Sequence, residues 1–312
     1  MTIREPQGPS QGGILRIGTR GSALAVAQTT TIANALAAKT GVTPEIVTIS
    51  TEGDRSSESL ATLGGTGVFA TALRDALGSG VVDVVVHSLK DLPTAPAPGL
   101  SIAAVPKRVD ARDALCARDD LTLDTLPPES RVGTGSPRRA AQLRFRRPDL
   151  EVIDLRGNVD SRLGKVANGQ LDAVILAAAG LDRLGRLGAV TEYLGIDGWP
   201  TAPGQGALAV EVREGDEKLA KSLDHATSRI LVEAERQTLA LLEAGCSAPV
   251  GAHAVIDDGM LFLSVRVYGP ESYVTSSHAL YVSDSPDPAG ELAGRVSAEL
   301  FDLGAAELMG AS

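Results

Sequence analysis

A chain of 312 residues exceeds what one hydrophobic core normally holds, and 43% hydrophobic with 22% charged residues describes a soluble globular protein of two or three domains. A net charge of −10 and 3% aromatics argue against a nucleic-acid partner, which needs cations and stacking rings. The polar opening Met1 to Gly13 reads as a loose tail and not a signal peptide, and no apolar run reaches the ~18 residues of a membrane span. Cys116 and Cys246 stand too far apart in a chain of this length for a disulfide framework and suit a reducing cytoplasm. His87, His225, His253 and His278 lack ligand spacing, so no metal is expected.

The elements alternate. Ile14 to Thr19 reads as a strand, Ser22 caps a helix from Ala23 to about Lys39, and Gly41 stops it. Glu45 to Ser50 is a second strand, Val68 to Leu77 a helix, and Val81 to Val86 a buried strand of continuous β-branched residues. Between them, Thr51 to Gly67 is polar and carries Gly53, Gly64, Gly65 and Gly67, a length that suggests a lid or, as the alternative, a disordered insertion. A second run has strands at Ala114 to Ala117, Val132 to Thr134, Val152 to Leu155 and Ala173 to Ala177, with helices after Ser136, Asn158 and Ala179. Two α/β domains with mainly parallel sheets account for this order. Ala207 to Arg213 is expected to return the chain to the first domain. A long helix, about His225 to Ala244, then precedes strands at Ala252 to Ile256, Met260 to Tyr268 and Tyr273 to Val282 and a final helix near Ala289 to Phe301. The expected partition is 1–106 with 207–224, 107–206, and a smaller α/β domain at 225–312.

The cations are unevenly chosen and placed. There are 23 Arg to 6 Lys, and Arg131, Arg138, Arg139, Arg144, Arg146, Arg147, Arg156 and Arg162 fall in one short stretch. Arginine holds carboxylate and phosphate in a two-point geometry. Ser136 and Pro137 suit the N-cap and first position of a helix, which puts Arg138 and Arg139 in its first turn, the end where the dipole disfavours cations by roughly 0.3–1 kcal/mol each. A compensating anion is expected there, and a bound carboxylate or phosphate would serve. Arg156 after one strand and Arg162 one turn into the next helix would lie at the carboxyl edge of the same sheet, and Arg16 and Arg20 bracket the first βα turn of the other domain. Lys90 and Asp91 follow the strand ending at Val86. Asp91 either caps the turn before Pro93 or accepts a hydrogen bond from a nitrogen and offsets developing positive charge.

Cys246 sits where a helical pattern breaks into the small-residue loop Gly245-Cys246-Ser247-Ala248. Such surroundings suit a reactive thiol better than a packed one. A position after a helix C-terminus, with no histidine nearby in sequence, argues against a nucleophile that turns over.

Seven segments together resemble the porphobilinogen deaminase (hydroxymethylbilane synthase) family: Arg16-Ile17-Gly18-Thr19-Arg20-Gly21-Ser22, His87-Ser88-Leu89-Lys90-Asp91-Leu92-Pro93, Ser136-Pro137-Arg138-Arg139, Arg156-Gly157-Asn158-Val159, Ala179-Gly180-Leu181-Asp182-Arg183-Leu184, Pro203-Gly204-Gln205-Gly206 and Glu243-Ala244-Gly245-Cys246. The resemblance implies a fold of two periplasmic-binding-protein-like α/β domains with a cleft between them, plus a smaller C-terminal domain carrying the cofactor cysteine. It implies a cytoplasmic, monomeric transferase that joins four porphobilinogen molecules head to tail, with loss of ammonia, on a dipyrromethane cofactor held by a thioether to Cys246. It makes Asp91 the catalytic carboxylate, and Arg16, Arg20, Ser22, Lys90, Ser136, Arg138, Arg139, Arg156, Arg162 and Arg183 the groups that bind cofactor and substrate. Two carboxylates on each pyrrole would explain the demand for Arg, at roughly 1.5–3 kcal/mol per charge-assisted hydrogen bond.

Three departures from the family pattern stand out. Thr62 and Thr66 replace lysines common in the lid, Gly135 and Pro137 alter a serine-rich approach to the paired arginines, and Ala244 and Ser247 vary the cysteine loop. Pro137 suits a first helical position, so no loss of geometry is expected. The rivals are a non-catalytic two-domain carboxylate-binding protein and a cysteine-nucleophile hydrolase; a dinucleotide fold is weaker, since Gly64-Gly65-Thr66-Gly67 lacks the required spacing.

Overall fold

The computed structural model describes residues 13–50, 67–244 and 248–310. The expected lid, with Thr62 and Thr66, and the cysteine loop with Cys246 lie outside them. The chain divides into two compact units, Met1–Arg108 with Ala207–Arg229 and Val109–Gly206 with Ile230–Ser312.

The first unit holds β1 (Ile14–Arg20), α1 (Ala23–Thr40), β2 (Thr43–Ile49), α2 (Gly67–Gly78), β3 (Val84–Ser88), a single 3-10 turn at Leu89–Asp91, and β4 (Leu100–Ala104). Ser22 Oγ accepts the Ala25 N–H and Gly41 ends α1 at φ 71°, so both caps act as the sequence predicts. β1 pairs in parallel with β2 and β3. The strand expected from Val81 begins at Val84 instead, because Val81 is exposed and Asp83 is drawn into an ion pair with Arg16. The fifth strand, β10 (Leu208–Arg213), comes from far along the chain and lies antiparallel between β3 and β4, giving the order β2-β1-β3-β10-β4. Leu15, Ile17, Ile32, Leu36, Val84 and Val210 fill the core beneath α1.

The second unit repeats this topology. It contains β5 (Asp113–Ala117), β6 (Arg131–Thr134), α3 (Pro137–Arg146), β7 (Glu151–Asp154), α4 (Val159–Ala167), β8 (Ala173–Ala177), α5 (Ala178–Arg183) and β9 (Glu192–Leu194). β6 runs parallel to β7 and β8, while β5 is antiparallel to β8 and β9, in the order β7-β6-β8-β5-β9. In each sheet, three parallel strands are followed by a strand that runs antiparallel in the fourth place, β10 in the first and β5 in the second.

The same unit carries α6 (Ala226–Leu241, most of it), the antiparallel meander β11 (Val250–Asp257), β12 (Met260–Tyr268) and β13 (Tyr273–Tyr281), then α7 (Pro288–Asp302) and α8 (Ala305–Gly310). Leu261, Leu263, Val265, Leu292, Val296 and Leu300 form a separate core here. The fold is thus mixed α/β, with two five-stranded sheets and a smaller C-terminal α/β layer. Buried Glu235 on α6 accepts the N–H groups of Gly204 and Ala254 at 2.7 and 2.8 Å, tying that layer to the Pro203–Gly206 loop.

Candidate active site

Parallel register aligns Ile17 with Val84 and Gly18 with Val85, so Arg20 closes β1 beside the carboxyl end of β3. There Ser88 ends the strand, and the 3-10 turn carries Lys90 and Asp91. Leu89 and Leu92 are buried and anchor that turn, and the backbone closes it through Leu92 N–H to Leu89 O at 3.2 Å, without the Asp91 carboxylate. Arg20, Ser22, Gln28, His87, Ser88 and Asp91 line one pocket at this edge. A carboxylate and a guanidinium therefore share a wall in the first unit.

Arg16 does not join them. Its backbone carbonyl pairs with Asp83 N–H at the amino end of β3, and its Nη2 and Nε donate to the Asp83 carboxylate at 2.7 and 3.1 Å. That bond raises the guanidinium above its usual value. Four residues of strand separate it from Arg20, about 13 Å. The expectation that Arg16 binds cofactor or substrate is corrected: it secures the opposite end of the sheet.

In the second unit, β6, β7 and β8 are parallel, so Ser136, Arg138 and Arg139 after β6, Arg156 and Arg162 after β7, and Arg183 after β8 all follow carboxyl ends of one sheet. Ser136 Oγ accepts the Arg139 N–H, with Pro137 at the first helical position, as the sequence predicts. Gly135 allows the close approach of β6 to β7, since a Cβ there would stand 2.4 Å from the Leu155 carbonyl oxygen.

The anion that α3 requires is internal. Asp113, at the start of β5 and fully buried, accepts hydrogen bonds from Arg138 Nη2 (2.9 Å), Arg139 Nη2 (2.6 Å), Trp199 Nε1 (2.9 Å) and Gln205 Nε2 (2.8 Å). Burial pushes its pKa up, but the two guanidinium charges and the bonds from Arg139 and Gln205 outweigh this and hold it well below the carboxylate range. Arg138 also donates to Gln142 and to the Pro200 carbonyl, and only 3% of it is exposed. The compensating anion predicted as a bound ligand is corrected to Asp113, and Arg138 belongs to the interior.

Cationic character remains around Arg162. Burial lowers its pKa, as do the charges of Arg139 and Arg156, with Asp154 pulling the other way. Arg162 Nε donates to the Gly157 carbonyl, and Arg183 Nη2 to that of Gly206. The Nε atoms of Arg138 and Arg139 are buried donors with no hydrogen-bond partner, each a cost of about 1–3 kcal/mol unless a ligand or water meets it. Crowded guanidiniums, with the Arg139 Nε left over, fit a polycarboxylate such as dipyrromethane.

The two cysteines separate clearly. Cys116 lies within β5, is 2% exposed, and its thiol is pushed up to about 12 by burial. It cannot supply a thiolate near neutral pH. Cys246 is the other cysteine of the chain. No group of three or more His, Cys, Asp or Glu side chains among the described residues could hold a metal ion.

A family model described as "Porphobilinogen deaminase, dipyromethane cofactor binding domain" matches residues 15–221, and its C-terminal domain model matches 229–302. The chain belongs to the porphobilinogen deaminase family. Porphobilinogen deaminase of Leifsonia xyli subsp. xyli is 57% identical over 326 residues, 99% of this chain and 98% of that protein. That of Mycobacterium tuberculosis H37Rv is 53% identical over 306 residues, 95% and 98%, and that of Mycobacterium avium strain 104 is 53% identical, 95% and 96%. The porphobilinogen deaminase matches together take in both sheet edges and the C-terminal layer. Solved structures overlap more loosely: an arginine-specific periplasmic binding protein of Salmonella typhimurium covers 70% of the chain at 13% identity and TM-score 0.40. The family assignment rests on the family models and the relatives alone.

Beyond the predicted residues, the site includes buried carboxylates that local sequence patterns did not single out. Asp113 and Glu211 each stand inside an otherwise apolar strand, Asp113-Ala114-Leu115-Cys116 and Leu208-Ala209-Val210-Glu211-Val212. A lone acid in such a run is the signal, because burial there demands a partner.

Proposed function

We propose that the chain is a transferase that deaminates porphobilinogen and joins four molecules head to tail on a dipyrromethane primer thioether-linked to Cys246, releasing hydroxymethylbilane and ammonia. The observation that carries this reading is the uneven charge of the second sheet edge, where one carboxylate, Asp113, serves both Arg138 and Arg139, and Arg156 and Arg162 add further cations after the carboxyl end of β7. A polyanionic chain of pyrroles supplies the missing charge. Arg139, Arg156, Arg162, Arg183 and Ser136 are its holders in the second unit, and Arg20, Ser22 and Lys90 in the first. The primer, when bound, offers the free pyrrole position to which each new unit is joined.

Asp91 is the group that lowers the barrier. In its pocket the carboxylate accepts a hydrogen bond from the pyrrole N–H and offsets the positive charge that grows on the ring as the carbon–nitrogen bond of the aminomethyl group breaks and its electron pair leaves with ammonia. We take the enzyme to act as a cytoplasmic monomer on this small substrate, without nucleic acid or membrane; no described helix is long and apolar enough to cross one.

Replacing Asp91 tests the assignment. Asp91→Ala is expected to retain the covalent primer, read by intact mass, while the rate of porphobilinogen consumption falls about 10²–10³-fold. Wild-type turnover in that variant would move the chemistry elsewhere. Purified wild-type protein that binds porphobilinogen without consuming it would favour the carboxylate-binding rival.

A further inference from the structure

Behind the Asp91 pocket lies a second buried carboxylate that the proposed reaction does not use. Glu211 on β10 is 2% exposed, and its Oε2 lies 3.1 Å from His87 Nε2. Arg74 on α2 donates from Nη2 to Oε1 at 2.9 Å and from Nε to both oxygens at 3.1 Å. The three side chains come from a helix and two strands of one unit. β10 and β3 are antiparallel with Ala209 opposite His87 and Glu211 opposite Val85, so the Glu211–His87 contact is a diagonal pair across the ladder. Leu89 N–H also bonds to the Ala207 carbonyl, so the same two strands set where the turn bearing Asp91 begins.

The chemistry of the triad is determined by charge. Burial pushes the Glu211 pKa up, but the hydrogen bonds from His87 and Arg74 and the charge of Arg74 bring it below its ordinary value, so it is ionised. An ionised carboxylate only accepts, which requires the hydrogen of His87 to sit on Nε2. Arg74 already balances the charge of Glu211, so the pair places no demand for an imidazolium. A neutral ring so held has one hydrogen-free nitrogen, Nδ1, and His87 lines the pocket that Asp91 lines.

We propose that Glu211 and Arg74 are positioning residues that lock His87 in the Nε2–H tautomer, making its Nδ1 a second acceptor, beside Asp91, for a cationic N–H group of the ligand. This rests on the reading of the pocket as the site of an aminomethyl pyrrole, whose ammonium group is such a donor. Locked ring orientation of this kind is a common task for a carboxylate behind a functional histidine, and its removal typically costs 10–100-fold.

The test uses the cofactor-loaded, full-length enzyme and two near-isosteric changes. Glu211→Gln offers the ring both a donor and an acceptor, which releases the tautomer; His87→Gln keeps a donor toward Glu211 and removes Nδ1. The inference expects nitrogen-15 imidazole spectra of the wild type to show His87 protonated on Nε2 and those of Glu211→Gln to show a mixture. It expects kcat for porphobilinogen consumption to fall about 10–100-fold in both variants, by more than any loss of folded protein measured on the same sample. A wild-type imidazole protonated on Nδ1, or wild-type kcat in His87→Gln, would overturn it. A fall in kcat that tracks the folded fraction would reduce the triad to a structural clamp and overturn it too. A wild-type enzyme inert toward porphobilinogen would instead overturn the functional reading itself.

Discussion

At the scale of residues, Asp113 shows how a local rule can point correctly and still name the wrong partner. Ser136 and Pro137 predict cations in the first turn of α3 and hence an anion, and the structure supplies one from the start of β5, fully buried and held by Arg138, Arg139, Trp199 and Gln205. The long-range pairing was illegible because it depends on β5 lying antiparallel beside β8, a neighbour relation that no local pattern encodes. The positions of Arg20, Ser22, Lys90 and Asp91 were legible, since each sits at the end of a strand or the start of a helix whose signals are local. Arg16 was misplaced for the complementary reason: two arginines four residues apart on a strand stand about 13 Å apart along it.

Asp113 also makes a prediction. Its folded pKa is depressed, so its contribution is fully present above the ordinary carboxylate value near pH 4 and is lost as the pH falls from there toward the folded value. Asp113→Asn should cost about 3–5 kcal/mol at pH 7, because it leaves two buried guanidiniums short of an anion. The gap between wild type and variant in denaturant unfolding should then narrow by about 1 kcal/mol per pH unit below pH 4. A gap that stays constant from pH 7 to pH 3 would contradict this account of the network.

At the scale of elements, helices α1 and α3 and the meander β11 to β13 followed from caps and alternation, while short β4 and β9 carry too few residues to show a period. β10 was readable as a strand, and its apolar run with Glu211 inside it marks a central place in the sheet with a buried acid to satisfy. Gly135 is an element-scale feature as well. The sequence shows only a missing serine, whereas the structure shows the end of β6 pressed against the Leu155 carbonyl after β7. Gly135→Ser should therefore destabilise the protein by about 1–3 kcal/mol, the usual cost of overpacking, and shift the turn that presents Arg138 and Arg139. An unchanged denaturation midpoint would mean that the backbone yields at no cost.

At the scale of the whole molecule, two sheets of one topology each place their polar side chains after the carboxyl ends of parallel strands, with Asp91 in the first unit and the arginine-rich edge in the second. Fold class and family were legible because strand–helix alternation and seven ordered motifs are distributed along the chain. For the cysteines, Cys116 is sealed in β5 with its thiol pushed up to about 12, and attachment of the primer to Cys246 is the proposal to be tested. Intact-mass spectrometry of the purified protein, followed by peptide mapping, tests this most directly: the account predicts a mass above that of the chain by one dipyrrole on a peptide containing Cys246. Active enzyme with an unmodified Cys246 peptide, or with the adduct on Cys116, would contradict it.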